Sequence, residues 1–195
     1  IERTNYYRRL YNLEDKFIML FAGVMGPSQG LDFVVNVAEK VIELENLVFL
    51  FVGDGMEREK LENMAESKKL NNIIFKNFVP KEEYPKLVKD CDVGVVSLTE
   101  KNKTPVVPGK ILGYMAAGIP VLAFLNKESD GHNIIKQAGC GYSTVYGNSE
   151  EAERIIKVLY SKEKKDLKEI GMRGYQYVKA NFDKEKCINK LVKYF

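Results

Sequence analysis

The stretch FIMLFAGVMGPSQGLDFVVNVAEKVIEL, residues 17–44, decides the fold class. It joins a short apolar run at 17–23 to a segment in which apolar residues recur at helical spacing. The apolar face of that segment consists of Leu31, Val34, Val35, Ala38, Val41 and Ile42. The stretch therefore predicts a buried strand, a glycine-rich turn and an amphipathic helix that packs against a sheet.

The same alternation continues along the chain. Apolar runs at 47–53, 72–79, 93–98, 120–125 and 142–146 predict further strands. Helices are expected near 56–69, 81–90, 109–117, 129–138, 149–160, 163–181 and 183–194. Strands that are apolar throughout are buried on both faces, and such alternation is typical of right-handed βαβ units. The sequence predicts an α/β fold, a doubly wound Rossmann-like parallel sheet with helices on both faces.

The composition narrows the classes of function. The chain has 195 residues, 45% of them hydrophobic, and a formal net charge of +3, which argues against a nucleic-acid partner. Its one histidine excludes a multi-histidine metal site, and its three scattered cysteines form neither a disulfide framework nor a CxxC site. A reducing cytoplasm fits this cysteine usage. No apolar run approaches the ~20 residues that span a bilayer, so no membrane segment is expected.

Ligands of such sheets bind at the carboxyl ends of the strands, where loops lead into helix N-termini. Gly23, Gly26 and Gly30 punctuate the turn after the first strand, where backbone N–H groups suit a diphosphate. The spacing is neither GxGxxG nor GxxxxGKS, so a tight turn without a ligand is an equal interpretation. In VGDG, residues 52–55, Asp54 is expected to cap the next helix, with direct ligand contact as the alternative.

The segment TPVVPGKILGYMAAGIPVLAF, residues 104–124, carries the strongest functional signal. Pro108 and Gly109 are expected to begin a helix whose free N–H groups face the ligand edge. Lys110 adds a cation to the first turn, where it opposes the helix macrodipole. This placement is unfavourable unless an anion binds, so an anion site is predicted at this helix N-terminus.

Two further motifs have less specific interpretations. Asp90-Cys91-Asp92 matches the DxD pattern of metal-dependent sugar transfer, but it precedes a strand and therefore falls at the amino edge. Helix termination and solubility are the preferred roles of these aspartates. His132 begins a helix at the ligand edge, where it either donates to a phosphate or sugar hydroxyl or is only an exposed or capping residue.

The two ends of the chain carry basic segments. Residues 161–195 contain ten Lys or Arg against five Asp or Glu, which favours a solvated helix face over contact with an anionic membrane or an acidic neighbour. An aromatic and basic amphipathic segment is formed by Tyr6, Tyr7, Tyr11, Arg8 and Arg9, and we expect it to pack against the domain or a missing partner rather than to bind nucleic acid.

Seven motifs follow one another along the chain: FAG, QG, VGDG, NIIFKNFVP, CDVGVVSL, PGKILGYMAAGIPVLA and QAGCGY. Their order and spacing resemble those of the C-terminal domain of family 4 glycosyltransferases with the GT-B fold. The resemblance is closest to the bacterial surface-polysaccharide branch. The resemblance covers residues 17–195. It implies two Rossmann-like domains, of which the C-terminal one binds the sugar nucleotide. The N-terminal helical segment, residues 1–16, would then lead from a missing N-terminal domain. The Rossmann-like domain that binds the donor would comprise residues 17–160. The C-terminal helices would comprise residues 161–195, and the last of them would cross to the missing domain.

The resemblance also implies site residues. Those for the donor diphosphate are Gly23, Gly26, Ser28, Gln29, Gly30 and Lys110. Those for the base or sugar region are Phe78, Val79, Lys81, Val107, Pro108, Gly109, Gly113 and His132. Many members have Arg at the position of Val24 and Lys at that of Gln29, and their paired glutamates fall at Pro105 and Gly113. No catalytic residue and no metal are assigned. No cofactor is expected, because the nucleotide-sugar donor, such as a UDP- or GDP-sugar, is a substrate.

The implied function is a retaining glycosyltransferase domain that binds a nucleotide-diphosphate sugar for hexosyl or N-acetylhexosaminyl transfer to a glycan or lipid-linked acceptor. One domain cannot enclose both substrates, so the isolated domain is expected to be inactive. The expected location is cytoplasmic, with peripheral contact at the inner face of the cell membrane as an option. Two alternatives stay open: a catalytically degenerate GT-B binding subunit, and a GT-B sugar-nucleotide epimerase, whose acid and base carboxylates are not evident.

Overall fold

A computed structural model describes residues 3–101 and 107–182. Six strands form one sheet in the order β3-β2-β1-β4-β5-β6, and every neighbouring pair is parallel. The strands are β1 (Phe17–Ala22), β2 (Leu47–Val52), β3 (Ile73–Lys76), β4 (Val93–Ser97), β5 (Val121–Leu125) and β6 (Gly141–Val145). The predicted doubly wound parallel sheet is confirmed, and its strand order reverses direction between β1 and β4.

Helices cover both faces of this sheet. They are α1 (Tyr6–Leu10), α2 (Leu31–Lys40), α3 (Arg58–Ser67), α4 (Tyr84–Lys89), α5 (Gly109–Ala117), α6 (Gly131–Ala138), α7 (Ser149–Tyr160) and α8 (Lys164–Asn181). Side chains alternate along β1, so that Met19 and Phe21 enter the apolar layer under α2, α3 and α7. Ile18 and Leu20 enter the opposite layer, under α4, α5 and α6.

Several predicted boundaries shift. β3 ends at Lys76, because β2, its pairing partner, ends at Val52 and the following residues turn away from the sheet. Helix α3 begins at Arg58 rather than near Met56, and α4 covers only Tyr84–Lys89. The predicted helix at 183–194 lies outside the described residues.

The amino edge of the sheet holds the segment that precedes β1. The Asp90 carboxylate is fully buried and accepts hydrogen bonds from the backbone N–H groups of Thr4, Asn5 and Tyr7 at 2.8–2.9 Å. Tyr7 packs into the apolar layer beneath α4 and is 5% exposed. The expectation that the aromatic segment packs against the domain is confirmed for these residues.

Asp92 completes this attachment with a buried ion pair. Its carboxylate accepts the backbone N–H of Ile18 at 2.7 Å and lies 2.5 Å from Nη2 of Arg8. The two side chains are 5% and 6% exposed. The predicted helix termination is confirmed, because α4 ends at Lys89 with Asp90 at its C-cap, and so is the placement at the amino edge. The predicted solubilising role is wrong, because both carboxylates are buried. The sequence shows the two carboxylates but not their donors, which lie at least 74 residues earlier in the chain.

Candidate functional site

The predicted ligand edge is the carboxyl edge of the sheet, where β1 and β4 separate. Strand β1 pairs with β2 over all six of its residues, but with β4 only at Met19 and Leu20. The pairing of β1 with β4 ends at Leu20, at the point where strand order reverses. In open α/β sheets the usual ligand site is the crevice at this point, outside the carboxyl ends of the strands.

The turn after β1, residues 23–30 and hereafter the glycine turn, borders this crevice. It contains a short 3₁₀ turn at Pro27–Gln29 and enters α2 at Gly30, whose φ is +54°. A Cβ on Gly30 would lie 2.6 Å from the Tyr146 ring and 2.7 Å from Thr99. Gly30 is thus required by packing as well as by backbone conformation.

The loop after β2 fixes the glycine turn from the other side. Met25 donates its N–H to the Asp54 carbonyl at 2.8 Å, and the Met25 carbonyl accepts from Glu57 at 3.0 Å. At Gly53, whose φ is +151°, a Cβ would lie 1.9 Å from the Gly23 carbonyl oxygen. The Asp54 side chain accepts from Gly55 N–H, and α3 has no side-chain cap, so the predicted capping by Asp54 is wrong.

Lys110 reaches from α5 onto the glycine turn. Its Nζ donates to Oε1 of Gln29 at 3.1 Å and lies 5.0 Å from the centroid of the Phe21 ring. A Cβ on Gly23 would lie 2.9 Å from Cε of Lys110. The structure therefore brings together Gly23, Gln29 and Lys110, three residues assigned to the diphosphate from sequence.

The electrostatics at Lys110 are unbalanced. Its ammonium has a neutral amide oxygen as its hydrogen-bond partner, and no carboxylate pairs with it within residues 3–101 and 107–182. Burial lowers the pKa of Lys110, because the charged form is poorly solvated there. Helix α5 adds its positive end at the same place, with no side-chain cap at Pro108. A cation, a helix N-terminus and a glycine turn together favour a bound anion.

The other α5 positions predicted from sequence lie beside Lys110. Val107 is half-buried, Pro108 is buried and Gly109 is exposed. Among the described residues, a Cβ at Gly109 or at Gly113 would meet nothing within 4 Å. Pro105 falls outside the described residues.

The loop after β3 carries the residues predicted to contact the base. Phe78 is 55% exposed, Val79 packs partly into the layer beneath α4, and Lys81 is exposed. Arg58 ties this loop to its neighbour, since its Nη1 donates to the Gly53 carbonyl at 2.8 Å and to Oδ1 of Asn77 at 2.7 Å. Arg58 and Asn77 were not predicted from the sequence, because neither belongs to a recognisable motif. They meet because the segments after β2 and β3 leave the sheet from neighbouring strands.

His132 is engaged inside the fold. Its Nε2 lies 3.1 Å from the Asn126 carbonyl oxygen, and its Nδ1 lies 2.7 Å from Oγ of Ser143. A carbonyl can only accept, so Nε2 carries the proton and Nδ1 accepts from the serine hydroxyl. Both ring nitrogens have partners within the fold, so a contact of His132 with a phosphate or sugar would require one of these hydrogen bonds to break.

Across residues 3–101 and 107–182, no group of three or more His, Cys, Asp or Glu side chains is arranged to hold a metal ion. In the same residues, no helix is both long enough and apolar enough to cross a membrane.

The sheet order, the glycine turn and the α5 N-terminus define the class: a doubly wound α/β domain with an anion-suited crevice at its switch point. A model of the family described as "Glycosyl transferases group 1" matches residues 3–177. The chain belongs to this family, and its architecture is that of the C-terminal domain of a GT-B glycosyltransferase.

Curated relatives agree with this membership. The chain is 31% identical over 105 residues to the putative colanic acid biosynthesis glycosyl transferase WcaI of Escherichia coli, covering 54% of this chain and 26% of WcaI. It is 27% identical over 141 residues to the probable glycosyltransferase WbjE of Pseudomonas aeruginosa, covering 72% of this chain and 35% of WbjE. The matched part of the chain thus spans about a third or less of these two relatives.

Solved structures show the same fold. HepE of Anabaena in complex with UDP superposes with a TM-score of 0.82 at 18% identity, over 97% of this chain and 51% of HepE. The C-terminal domain of LpcC, a glycosyl transferase group 1 protein of Francisella tularensis, superposes with a TM-score of 0.69 at 20% identity, over 86% of each chain.

Proposed function

We propose that this chain is the donor-binding domain of a retaining glycosyltransferase. Its substrate would be a UDP- or GDP-sugar, and the transferred group a hexosyl or N-acetylhexosaminyl unit. The observation that carries the proposal is Lys110, a partly buried ammonium at a helix N-terminus that lies on the glycine turn without a carboxylate partner among the described residues. HepE, which has this fold, is described with UDP bound.

In this proposal the diphosphate of the donor lies between the glycine turn and α5. Lys110 would contact a phosphate oxygen in a charge-assisted hydrogen bond, and the amides of Gly23, Gly26, Ser28, Gln29 and Gly30 would line the same anion. Departure of the diphosphate concentrates negative charge on its oxygens. Lys110 and the α5 N-terminus stabilise that charge without needing to reorganise, and no metal is required for this step.

The base and sugar would lie on either side of the diphosphate. Phe78 offers an exposed ring after β3, in a loop that Arg58 holds in place through Asn77. Gly109 and Gly113 leave open space along α5, beside the proposed diphosphate. We assign the base to the loop of Phe78, Val79 and Lys81, and the sugar to the start of α5 at Val107–Gly109.

The acceptor would be a glycan or lipid-linked sugar presented by another domain. The matched relatives are more than twice as long as the aligned part of this chain. One domain can neither orient both substrates nor exclude water from the reacting atoms, so the chain by itself would not turn over. A cytoplasmic location, with peripheral contact at the inner face of the membrane, suits such an acceptor.

A second candidate is a degenerate domain that binds a nucleotide sugar, or nothing, without transfer. The observation in its favour is the replacement of charged family residues by Val24, Gln29 and Gly113. Val24 is 61% exposed at the glycine turn, so an arginine there would have been accommodated.

Calorimetric titration of the chain with UDP, GDP, ADP and UMP tests the proposal. We expect weak binding of UDP or GDP, with UMP weaker because it lacks the second phosphate. A Lys165→Met variant, which removes an exposed lysine of α8, should bind as the unmodified chain does. Absence of binding to every nucleoside diphosphate would support the degenerate domain instead. Sugar transfer by residues 1–195 alone would contradict the expected inactivity.

A further inference from the structure

The floor of the crevice contains a buried tyrosine that no assigned role explains. Tyr114 lies in the second turn of α5 and is completely buried. Its hydroxyl donates to the Leu20 carbonyl at 3.2 Å and accepts from the Ala22 N–H at 3.3 Å. These are β1 backbone groups next to the point where the pairing of β1 with β4 ends. Tyr114 thus occupies the gap between the separating strands.

Strand β4 is shaped to receive this ring. A Cβ on Gly94 would lie 2.3 Å from the Tyr114 ring carbons, well inside any tolerated contact. Gly94 and Tyr114 are therefore complementary, and the ring can rest on the β4 backbone only because residue 94 has no side chain. Burial, and after it the neighbouring Tyr84, raises the pKa of Tyr114, so the hydroxyl stays protonated and keeps both hydrogen bonds.

Tyr114 and Lys110 are four residues apart on α5 and therefore lie on the same face of the helix. Tyr114 attaches the second turn to the end of β1, one residue before Gly23. Lys110, one turn earlier, then reaches Phe21 and Gln29. Within residues 3–101 and 107–182 the start of α5 has no side-chain cap, and the Tyr114 hydroxyl makes a polar contact between this helix and β1.

We propose that Tyr114 is a positioning residue that sets Lys110 over the glycine turn, acting on the diphosphate only through that lysine. The inference rests on the proposed function for its effect on nucleotide binding, but its effect on Lys110 is independent of any ligand. Without the hydroxyl, α5 would lose its attachment at the end of β1, and the ammonium would move outward into solvent.

A double-mutant cycle tests this dependence. Tyr114→Phe keeps the ring on Gly94 and removes the hydroxyl. It should weaken UDP binding about three- to tenfold in the otherwise unmodified chain. In a Lys110→Met background the same change should have no further effect, since the residue that it positions is gone. Equal losses in both backgrounds, or no loss in the first, would overturn the proposal.

A second measurement separates this proposal from the proposed function. The pKa of Lys110 is followed by NMR of its side chain in the unliganded chain and in Tyr114→Phe. We expect it to rise toward the usual lysine value in the variant, because the ammonium gains solvent. An unchanged Lys110 pKa would refute positioning even if UDP binds, whereas a raised pKa without UDP binding would refute only the proposed function.

The matched control is Tyr160→Phe. Tyr160 lies on the opposite side of the sheet, where its ring packs 5.5 Å from that of Phe17. This variant should change neither the UDP affinity nor the Lys110 pKa. Unfolding by urea is recorded for each variant so that affinities are compared per folded molecule. An equal response of Tyr160→Phe would show that the Tyr114 effect is general loosening and would overturn the proposal.

Discussion

The two edges of the sheet differ in whether a buried or partly buried charge has an oppositely charged partner among the described residues. At the amino edge, Asp92 and Arg8 are both nearly inaccessible and lie 2.5 Å apart, and the guanidinium also donates to the carbonyls of Asp90 and Lys16. At the carboxyl edge, Lys110 is partly buried beside an aromatic ring and a neutral amide. The buried ion pair at the amino edge is satisfied within the fold, whereas the described residues supply no carboxylate to Lys110 at the carboxyl edge.

This difference separates stability from function. A buried charge with a full set of partners fixes the chain locally, and losing one partner leaves the other charge uncompensated. A buried cation that lacks an acid costs folding free energy and is retained where a ligand supplies the anion. The DxD motif therefore has a structural role that motif matching alone would not give it, whereas the surroundings of Lys110 agree with the anion site predicted from the sequence.

The largest expected effect is at the amino edge. Asp92→Asn leaves Arg8 buried without its carboxylate, so the free energy of unfolding should fall by about 3–5 kcal/mol in urea titrations. UDP affinity, measured per folded molecule, should stay unchanged. The control Asp15→Asn changes an exposed aspartate and should stay within about 0.5 kcal/mol of the unmodified chain. A loss at Asp92 as small as that of the control would show that the ion pair does not hold the edge together.

The next effect is on binding at the carboxyl edge. Lys110→Met should weaken UDP binding by about 1.5–3 kcal/mol, the value of a charge-assisted hydrogen bond. The free energy of unfolding should not fall, because an uncompensated cation is removed from a helix N-terminus. Calorimetry and urea titration of one preparation give both values. Clear destabilisation with unchanged affinity would reverse the assignment of this edge.

A smaller effect is expected at Gly113, which lies in α5 and has open space around its Cβ position. Gly113→Glu introduces the carboxylate that the resemblance implies at this position and should stabilise the helix by less than about 1 kcal/mol. If the ribose lies beside α5, UDP should gain affinity relative to its 2′-deoxy analogue. Gly113→Gln, with the same shape but no charge, is the matched control. An equal gain for both nucleotides would place the ribose elsewhere.

The smallest effect is a dependence on pH. Burial lowers the pKa of Lys110, so UDP affinity should decline before pH reaches the usual 10.5 of a lysine, and Lys110→Met should not show this decline. The free energy of unfolding is expected to change with pH in the opposite direction to the UDP affinity. Between the lowered pKa and 10.5 the unfolded chain binds the proton more tightly, so the contribution of Lys110 to the unfolding free energy rises with pH. Affinity that is flat through this range in both proteins would argue against a charged Lys110 at the ligand.

The sequence was sufficient to predict the architecture because the strands are marked by continuous apolar runs and the helices by apolar residues at helical spacing. The glycines after β1 and the helix at Gly109 also have local signatures, and the rule that ligands bind at carboxyl ends placed them on one edge. The sequence predicted that an anion would suit Lys110, and the structure adds that Gln29 and Phe21 are its neighbours.

What the sequence did not predict depends on distant partners. Asp90 and Asp92 look like a surface motif until the segment of Thr4 to Arg8 docks on them. His132 looks available until Ser143 and Asn126 take both ring nitrogens. Gly94 and Tyr114 are unremarkable as single letters, and their fit arises only when α5 crosses β4. Tertiary contacts of this kind leave no periodic trace in the chain.

Titration of the ¹⁵N-labelled chain with UDP, followed by amide chemical shifts, tests the contrast between the edges most directly. The account predicts saturable shifts at Gly23, Gly26, Gly30 and Gly109 around the proposed site. The amide resonances of Asp90 to Asp92 should not shift, because these residues are buried and the Asp90 carboxylate already has hydrogen-bond partners within the chain. Shifts centred on the amino edge, or none at saturating UDP, would contradict the claim that the carboxyl edge holds the donor.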